Sequence, residues 1–319
     1  MSDTAPLQLL RSGSLCAAVA PQIGGSLASF YTLSEQSGEQ HHWLRPATDA
    51  SLAKGDPFEM ASFPLVPWAN RIRDCRFTFD GRPVQLVPNR GEDPHTIHGL
   101  GWMQGWDISA RSSTHIGLRM DYDGTGPWPY AFSSVQSYTL DPQGLSISLA
   151  VTNRGGSPMP AGIGHHPYFL HDTSGAGTRV TAQVQGMWES DAWMLPKQLA
   201  HSHRVVDALK AQMRLGDFEL DNNFTGFDGS ARVEWPNGDI LRMKASDSLN
   251  YFVVYCPRDQ DIFCIEPVSN CTDWLNLRTP QEHAQGTGAF ERRAGGHVLL
   301  PGESLHGSMR LEPVQHKTT

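Results

Sequence analysis

Arg76-Phe-Thr-Phe-Asp80-Gly81-Arg-Pro-Val-Gln-Leu-Val87 consists of two short runs joined at an Asp-Gly pair. Asp-Gly readily adopts the positive φ angles that a two-residue hairpin turn demands, so the stretch predicts two antiparallel strands. The same pattern recurs along the rest of the chain. Ala231–Trp235 and Asp239–Met243 flank Pro236-Asn237-Gly238, and Leu145–Val151 alternates before the turn residues Asn153 to Gly156. Val180–Val184, Tyr251–Tyr255 and Asp261–Ile265 add further strand-like runs. The 31 Gly and 22 Pro punctuate these runs at the intervals of a β-sandwich. Helical patterning is sparse, its best case being Val205–Leu215, stopped by Gly216. No linker, repeat or low-complexity tract interrupts the strand signals, so residues 1–319 read as one large all-β domain with few short helices.

Composition narrows the function classes. A formal net charge of −8 argues against nucleic acid or an anionic membrane as partner. No stretch approaches ~20 consecutive apolar residues, so no transmembrane helix is expected. Met1 to Gln8 lacks the basic flank and apolar core of a signal peptide, which makes cytoplasm the expected location. The five cysteines are an odd number without Cys-x-x-Cys spacing, fitting reduced thiols better than a disulfide frame.

The chemistry concentrates in two strand-like segments. Glu266 stands in Phe263-Cys-Ile-Glu-Pro-Val-Ser-Asn270, apolar company in which a carboxylate is costly unless it has a partner. Gly164-His-His-Pro-Tyr-Phe169 carries two adjacent histidines, which on a strand point to opposite faces, so only one can serve a given pocket. An imidazole and a carboxylate flanking one small substrate suffice to take a proton from one oxygen and deliver one to another. Three further clusters accompany them. Phe63 to Asp74 contains Asn70-Arg71, where Arg71 offers a planar donor fork to vicinal hydroxyls or pairs with Asp74. His95 to Trp102 contains His98-Gly99, with Trp102 or Trp106 as an apolar ring face for sugar C–H groups. In Asp221-Asn-Asn-Phe224, Asp221 either accepts hydrogen bonds from hydroxyls or makes a local turn.

In this order the elements resemble the aldose 1-epimerase (galactose mutarotase) family, from about Gly25 to Leu311. Asn70-Arg71-Ile72, His98-Gly99, His166-x-Tyr168-Phe169, Asp221-x-x-Phe224 and Glu266-Pro267 followed by Asp273-x-x-Asn276 are each similar to one of its segments. The resemblance implies a galactose mutarotase-like supersandwich, a single large antiparallel β-sandwich with the sugar in an open cleft and neither metal nor organic cofactor. It implies His166 and Glu266 as catalytic residues and Arg71, His98 and Asp221 as substrate-binding residues. The family's histidine segment often has Asn before the His and after the Phe; here stand His165 and Leu170, a departure that bears on the choice of sugar.

The expected reaction interconverts the α and β anomers of a free monosaccharide, with Glu266 as base and His166 as acid. A nearby carboxylate would hold His166 protonated. The protein acting on it would be a monomer or homodimer. Mutarotation of a sugar phosphate or other anionic sugar is a related reading; it needs cations beyond Arg71, for which Arg73 and Arg76 are the nearby candidates. A non-catalytic carbohydrate-binding protein would have no need of acid and base together. A cupin-like metal centre built from His95, His98, His165, His166 and Glu266 lacks the expected pair of histidines two apart on one strand; the pair so spaced, His201 and His203, lies in a polar stretch.

Overall fold

The computed structural model describes residues 7–172, 177–277 and 294–315. Arg76–Phe79 and Arg82–Gln85 pair antiparallel, with Asp80 and Gly81 at φ 51° and 70°, the double positive φ expected of the Asp-Gly turn. This hairpin is a small two-stranded sheet of its own. Two larger antiparallel sheets form the body of the sandwich among the described residues. The first has nine strands, in the order Asp107–Arg111, His115–Tyr122, Phe132–Asp141, Gly144–Asn153, Ser304–Val314, Ile240–Ala245, Ser230–Glu234, Arg179–Ala182 and Met213–Arg214. The second runs Pro196–Ala200, Gly186–Ser190, Leu220–Thr225, Tyr251–Cys256, Ile262–Val268, Gly164–His165 and Pro64–Leu65, with Tyr168–Leu170 also paired to Ile262–Val268. A four-stranded sheet spans Gln8–Ser12, Leu15–Ala20, Ser26–Leu33 and Gln40–His42.

The runs read from sequence fall on these strands. Leu145–Val151 lies within Gly144–Asn153, Tyr251–Tyr255 within Tyr251–Cys256, and the Pro-Asn-Gly turn joins Ser230–Glu234 to Ile240–Ala245. Residues of both large sheets, including Ile147, Val151, Val254 and Ile265, share one buried apolar cluster. Burial of these side chains, each worth roughly 1.5–3 kcal/mol, is the main favourable term holding the layers together.

Two local expectations are corrected. The helix expected over Val205–Leu215 covers only Arg204–Lys210, because Gln212 turns to φ 75° and Met213–Arg214 pairs with Arg179–Val180 in the nine-stranded sheet. The histidine segment is not one continuous strand. Pro167 has no N–H to give a ladder, and the chain breaks there into Gly164–His165 and Tyr168–Leu170. The flanking amides instead reach back, His166 N–H to the Phe63 carbonyl (3.1 Å) and Tyr168 N–H to that of Ala61 (2.9 Å). No helix among the described residues is long and apolar enough to cross a membrane.

Candidate active site

Sheet register gathers the site. Asp221 lies opposite Tyr255, Tyr255 opposite Cys264, and Cys264 opposite Tyr168, while Val253 lies opposite Glu266 two residues along. Directly paired residues, and residues two apart, share a face of the pleat. Asp221, Tyr255, Tyr168 and Glu266 therefore project from one face of the second sheet. His165 projects from the other and meets Tyr138 of the nine-stranded sheet at a centroid distance of 6.4 Å. His166 is turned toward the site, stacked between Phe63 (4.8 Å) and Tyr168 (4.6 Å). The two histidines face opposite ways, as their adjacency requires.

Above this face lies a cavity of about 570 Å³, within the range of small-molecule sites. Arg71, His98, His166, Asp221 and Glu266 all line it. Its wall is a clasp between two irregular segments. The Asn70 N–H donates to His98 Nδ1 (3.2 Å) and the His98 N–H to the Asn70 carbonyl (3.1 Å), with both residues at positive φ, 62° and 64°. Such backbone strain persists only where the surroundings over-determine it. Next in sequence, Gly99 is at φ 75°, where a Cβ would lie 2.0 Å from the Val66 carbonyl oxygen, so only glycine lets these segments close. Because His98 Nδ1 accepts, its proton sits on Nε2, making that nitrogen a donor.

Arg71 donates through Nε to Asp93 (3.1 Å) and through Nη1 to Asp221 (3.3 Å). Its predicted alternative partner, Asp74, pairs instead with Arg76 (3.4 Å). Asp273 braces the same segment, accepting from the Arg73 backbone N–H (2.9 Å), the Arg73 side chain (3.2 Å) and Asn276 (2.7 Å).

His166 Nε2 and Glu266 Oε1 are 3.3 Å apart, and both residues are buried. His166 Nδ1 and Glu266 Oε2 have no hydrogen-bond partner. Burial, aided by the neighbouring Arg90, pushes His166 down to about 3. Burial, reinforced by the Asp221 charge, pushes Glu266 well above the usual carboxylate range. The expectation that the carboxylate would hold the imidazole charged is thus corrected. Desolvation works against the charge on each member and so favours the neutral pair.

His165 is also held at about 3, by burial alone, and neither of its ring nitrogens has a hydrogen-bond partner. A folded-state value below the unfolded one gives stability that is complete above about 6.5 and is lost as pH falls toward about 3. Each such histidine should cost about 1.4 kcal/mol of stability per pH unit through that window. Urea unfolding followed from pH 6 to 4 should accordingly show a shallower pH slope in His165→Asn than in the native chain, whereas equal slopes would contradict the assignment.

A model of the family described as aldose 1-epimerase matches residues 6–312. The chain belongs to the aldose 1-epimerase family. The uncharacterized protein YphB of Escherichia coli K12 is 30% identical to it over 279 residues, which are 84% of this chain and 87% of that protein. The crystal structure of an Escherichia coli K12 protein provisionally assigned as an aldose 1-epimerase matches with TM-score 0.81 and 28% identity, covering 97% of this chain and 99% of the other. A galactose mutarotase-like protein from Clostridium acetobutylicum matches at TM-score 0.79 and 19% identity over 97% and 95% of the two chains, a likeness of fold.

In this aldose 1-epimerase family member the sequence-derived candidates converge on one cavity, but several lining residues carried no sequence signal. Trp102 and Trp106 do not line it; Trp106 is fully buried, and the Phe and Tyr rings at the wall are Phe58, Tyr168 and Tyr255, with Phe58 packed edge-on against Trp102 at 4.9 Å. The cations that line it besides Arg71 are Arg45 and Arg90, not Arg73 or Arg76, whose guanidinium groups serve Asp273 and Asp74. Arg45, in Trp43-Leu-Arg-Pro46, and Arg90, in Pro88-Asn-Arg-Gly91, belong to no motif, and only the chain's folding brings them here. His166, Cys264 and Glu266 place possible ligand atoms within 4.8 Å of one another. Burial pushes the Cys264 thiol well up, which favours its protonated form in the structure as it stands. His95, of the histidine set weighed for a metal, accepts at Nδ1 from the Asp74 backbone N–H (3.0 Å).

Proposed function

We propose that the chain is an aldose 1-epimerase that interconverts the α and β anomers of a monosaccharide by acid–base ring opening and closure. The observation that carries this reading is the 3.3 Å contact between His166 Nε2 and Glu266 Oε1 on the wall of a sugar-sized cavity. Opening an aldopyranose removes the proton of O1, forms the C1=O1 double bond and breaks C1–O5, whose electron pair takes up a proton at O5. A carboxylate at Glu266 accepts the first proton and an imidazolium at His166 delivers the second. From the neutral pair that burial favours, shift of one proton from Glu266 to His166 generates this reactive form. The aldehyde then turns about C1–C2, and O5 adds to its other face with both transfers reversed.

The remaining groups hold the sugar still. His98 presents its Nε2–H, while Arg71 fixes Asp93 and Asp221 as acceptors for hydroxyls. Orientation of this kind supplies several kcal/mol of the barrier, and each well-placed acid or base adds ~10²–10⁴-fold. These terms suffice for a reaction that proceeds unaided in water. Polarimetry of freshly dissolved hexoses and pentoses is the test. At least one sugar should reach its equilibrium rotation at a rate proportional to protein concentration. Sugar binding without any such acceleration would make the protein a carbohydrate binder instead.

A further inference from the structure

Cys264 lies beside the acid–base pair and has no part in the proton transfers. It stands two residues before Glu266 on the strand Ile262–Val268, so both side chains project from the same face of the sheet. Its cross-strand partner is Tyr168, the ring that stacks on His166 at 4.6 Å. Cys264, His166 and Glu266 each offer one ligand atom such that all three atoms lie within 4.8 Å of one another. Among the described residues no other His, Cys, Asp and Glu side chains are grouped in this way. All three residues are buried, and Glu266 Oε2 has no hydrogen-bond partner, so the carboxyl keeps one oxygen for a further partner.

The geometry is close to that of a tetrahedral ion. His166 Nε2 and Glu266 Oε1, 3.3 Å apart, already have the ~3.3 Å spacing of two ligands bound ~2.0–2.1 Å from such an ion. Bringing the sulfur to the ~2.3 Å of a zinc–thiolate bond closes the widest pair by about 1 Å, the scale of a side-chain rotation. Phe63 and Tyr168 hold the imidazole plane between them at 4.8 and 4.6 Å. A thiolate and a carboxylate offset a double positive charge, and the imidazole binds as the neutral ring, so the complete set buries no net charge. Thiolate and imidazole suit Zn²⁺, whereas Mg²⁺ and Ca²⁺ require about six or more oxygens, of which this cluster has a single carboxylate. His166 and Glu266 both line the cavity, which gives an ion its entry path and leaves a fourth position for water.

We propose that Cys264, His166 and Glu266 form a binding site for Zn²⁺ that switches the protein off. Formation of the Zn–S, Zn–N and Zn–O bonds sends the thiol proton, and any proton carried by Glu266, to solvent. The lone pairs of Glu266 and His166 that exchange protons with O1 and O5 are then bound to the ion, and neither transfer proceeds. The binding site stands on the three side chains alone; the inhibition rests on the anomer-interconverting reading.

The test uses the full chain, freed of metal by a chelator, with Co²⁺ as a spectroscopic probe and Zn²⁺ as the inhibitor. Co²⁺ should give tetrahedral d–d absorption with a thiolate-to-metal charge-transfer band. That band should be lost both in Cys264→Ser and in His166→Asn, two variants on different segments of the fold. In polarimetry, Zn²⁺ should abolish turnover, added chelator should restore it, and Mg²⁺ or Ca²⁺ at the same concentration should have no effect. Cys264→Ser should keep turnover in the absence of metal but need ~10-fold or more Zn²⁺ for half-inhibition, since loss of even an outer-shell partner costs about 10–100-fold in metal affinity. No thiolate band in the native protein, or a band and a Zn²⁺ sensitivity unchanged in Cys264→Ser, would overturn the site. Failure of the chain to accelerate any sugar would overturn the functional reading and the inhibition with it, while the cobalt spectra still decide the binding site.

Discussion

Glu266→Gln should lower turnover by ~10²-fold or more while leaving the melting temperature close to native. Glutamine keeps the size of the side chain and resembles the protonated carboxyl that burial favours at this position. The neutral contact with His166 at 3.3 Å can therefore be kept, but no proton can leave for the imidazole and none can be accepted from O1. Sugar affinity should change little, because the hydroxyl contacts of Arg71, His98 and Asp221 remain. A structural ion pair predicts a different pattern, since removing one member of a buried pair costs ~3–5 kcal/mol and would lower the melting temperature sharply. A thermal melt run beside the polarimetry separates the two. A well-folded Gln variant with near-native turnover would end the assignment of Glu266 as base.

The second large effect is a ranking between neighbours. His166→Asn should remove most of the turnover, while His165→Asn should keep much of it. His166 touches Glu266 and lines the cavity, whereas His165 projects from the opposite face toward Tyr138. Loss at His165 falls on packing between the sheets and on the pH dependence of stability. The opposite ranking of kcat would contradict the orientation of both side chains.

Much of this arrangement could be read from local sequence, and the reasons for the rest are physical. Turn chemistry such as Asp80-Gly81 acts over a few residues, so the hairpins were legible. Glu266 was conspicuous because a carboxylate in an apolar strand is rare, and His166 because an adjacent pair must split between faces. The end of the helix after Lys210 was not legible, since it is set by pairing of Met213–Arg214 with a strand more than thirty residues away. Arg45 and Arg90 were missed for the same reason. Each is an ordinary arginine until folding sets both against Phe58. The protonation preference of the pair is not legible in the sequence either. Charge proximity was visible in the residue types, but the desolvation that overrides it depends on burial that only the packed sheet supplies.

The account holds that His166 and Glu266 act as one unit passing a single proton. The most direct measurement is a double-mutant cycle on kcat for anomer interconversion, using the native protein, Glu266→Gln, His166→Asn and the double variant. Residues that act as a unit are strongly non-additive, so the double variant should be no slower than the slower single one. Losses that multiply, with the double variant slower by the product of the two single effects, would show two independent contributions and contradict the shared-proton pair.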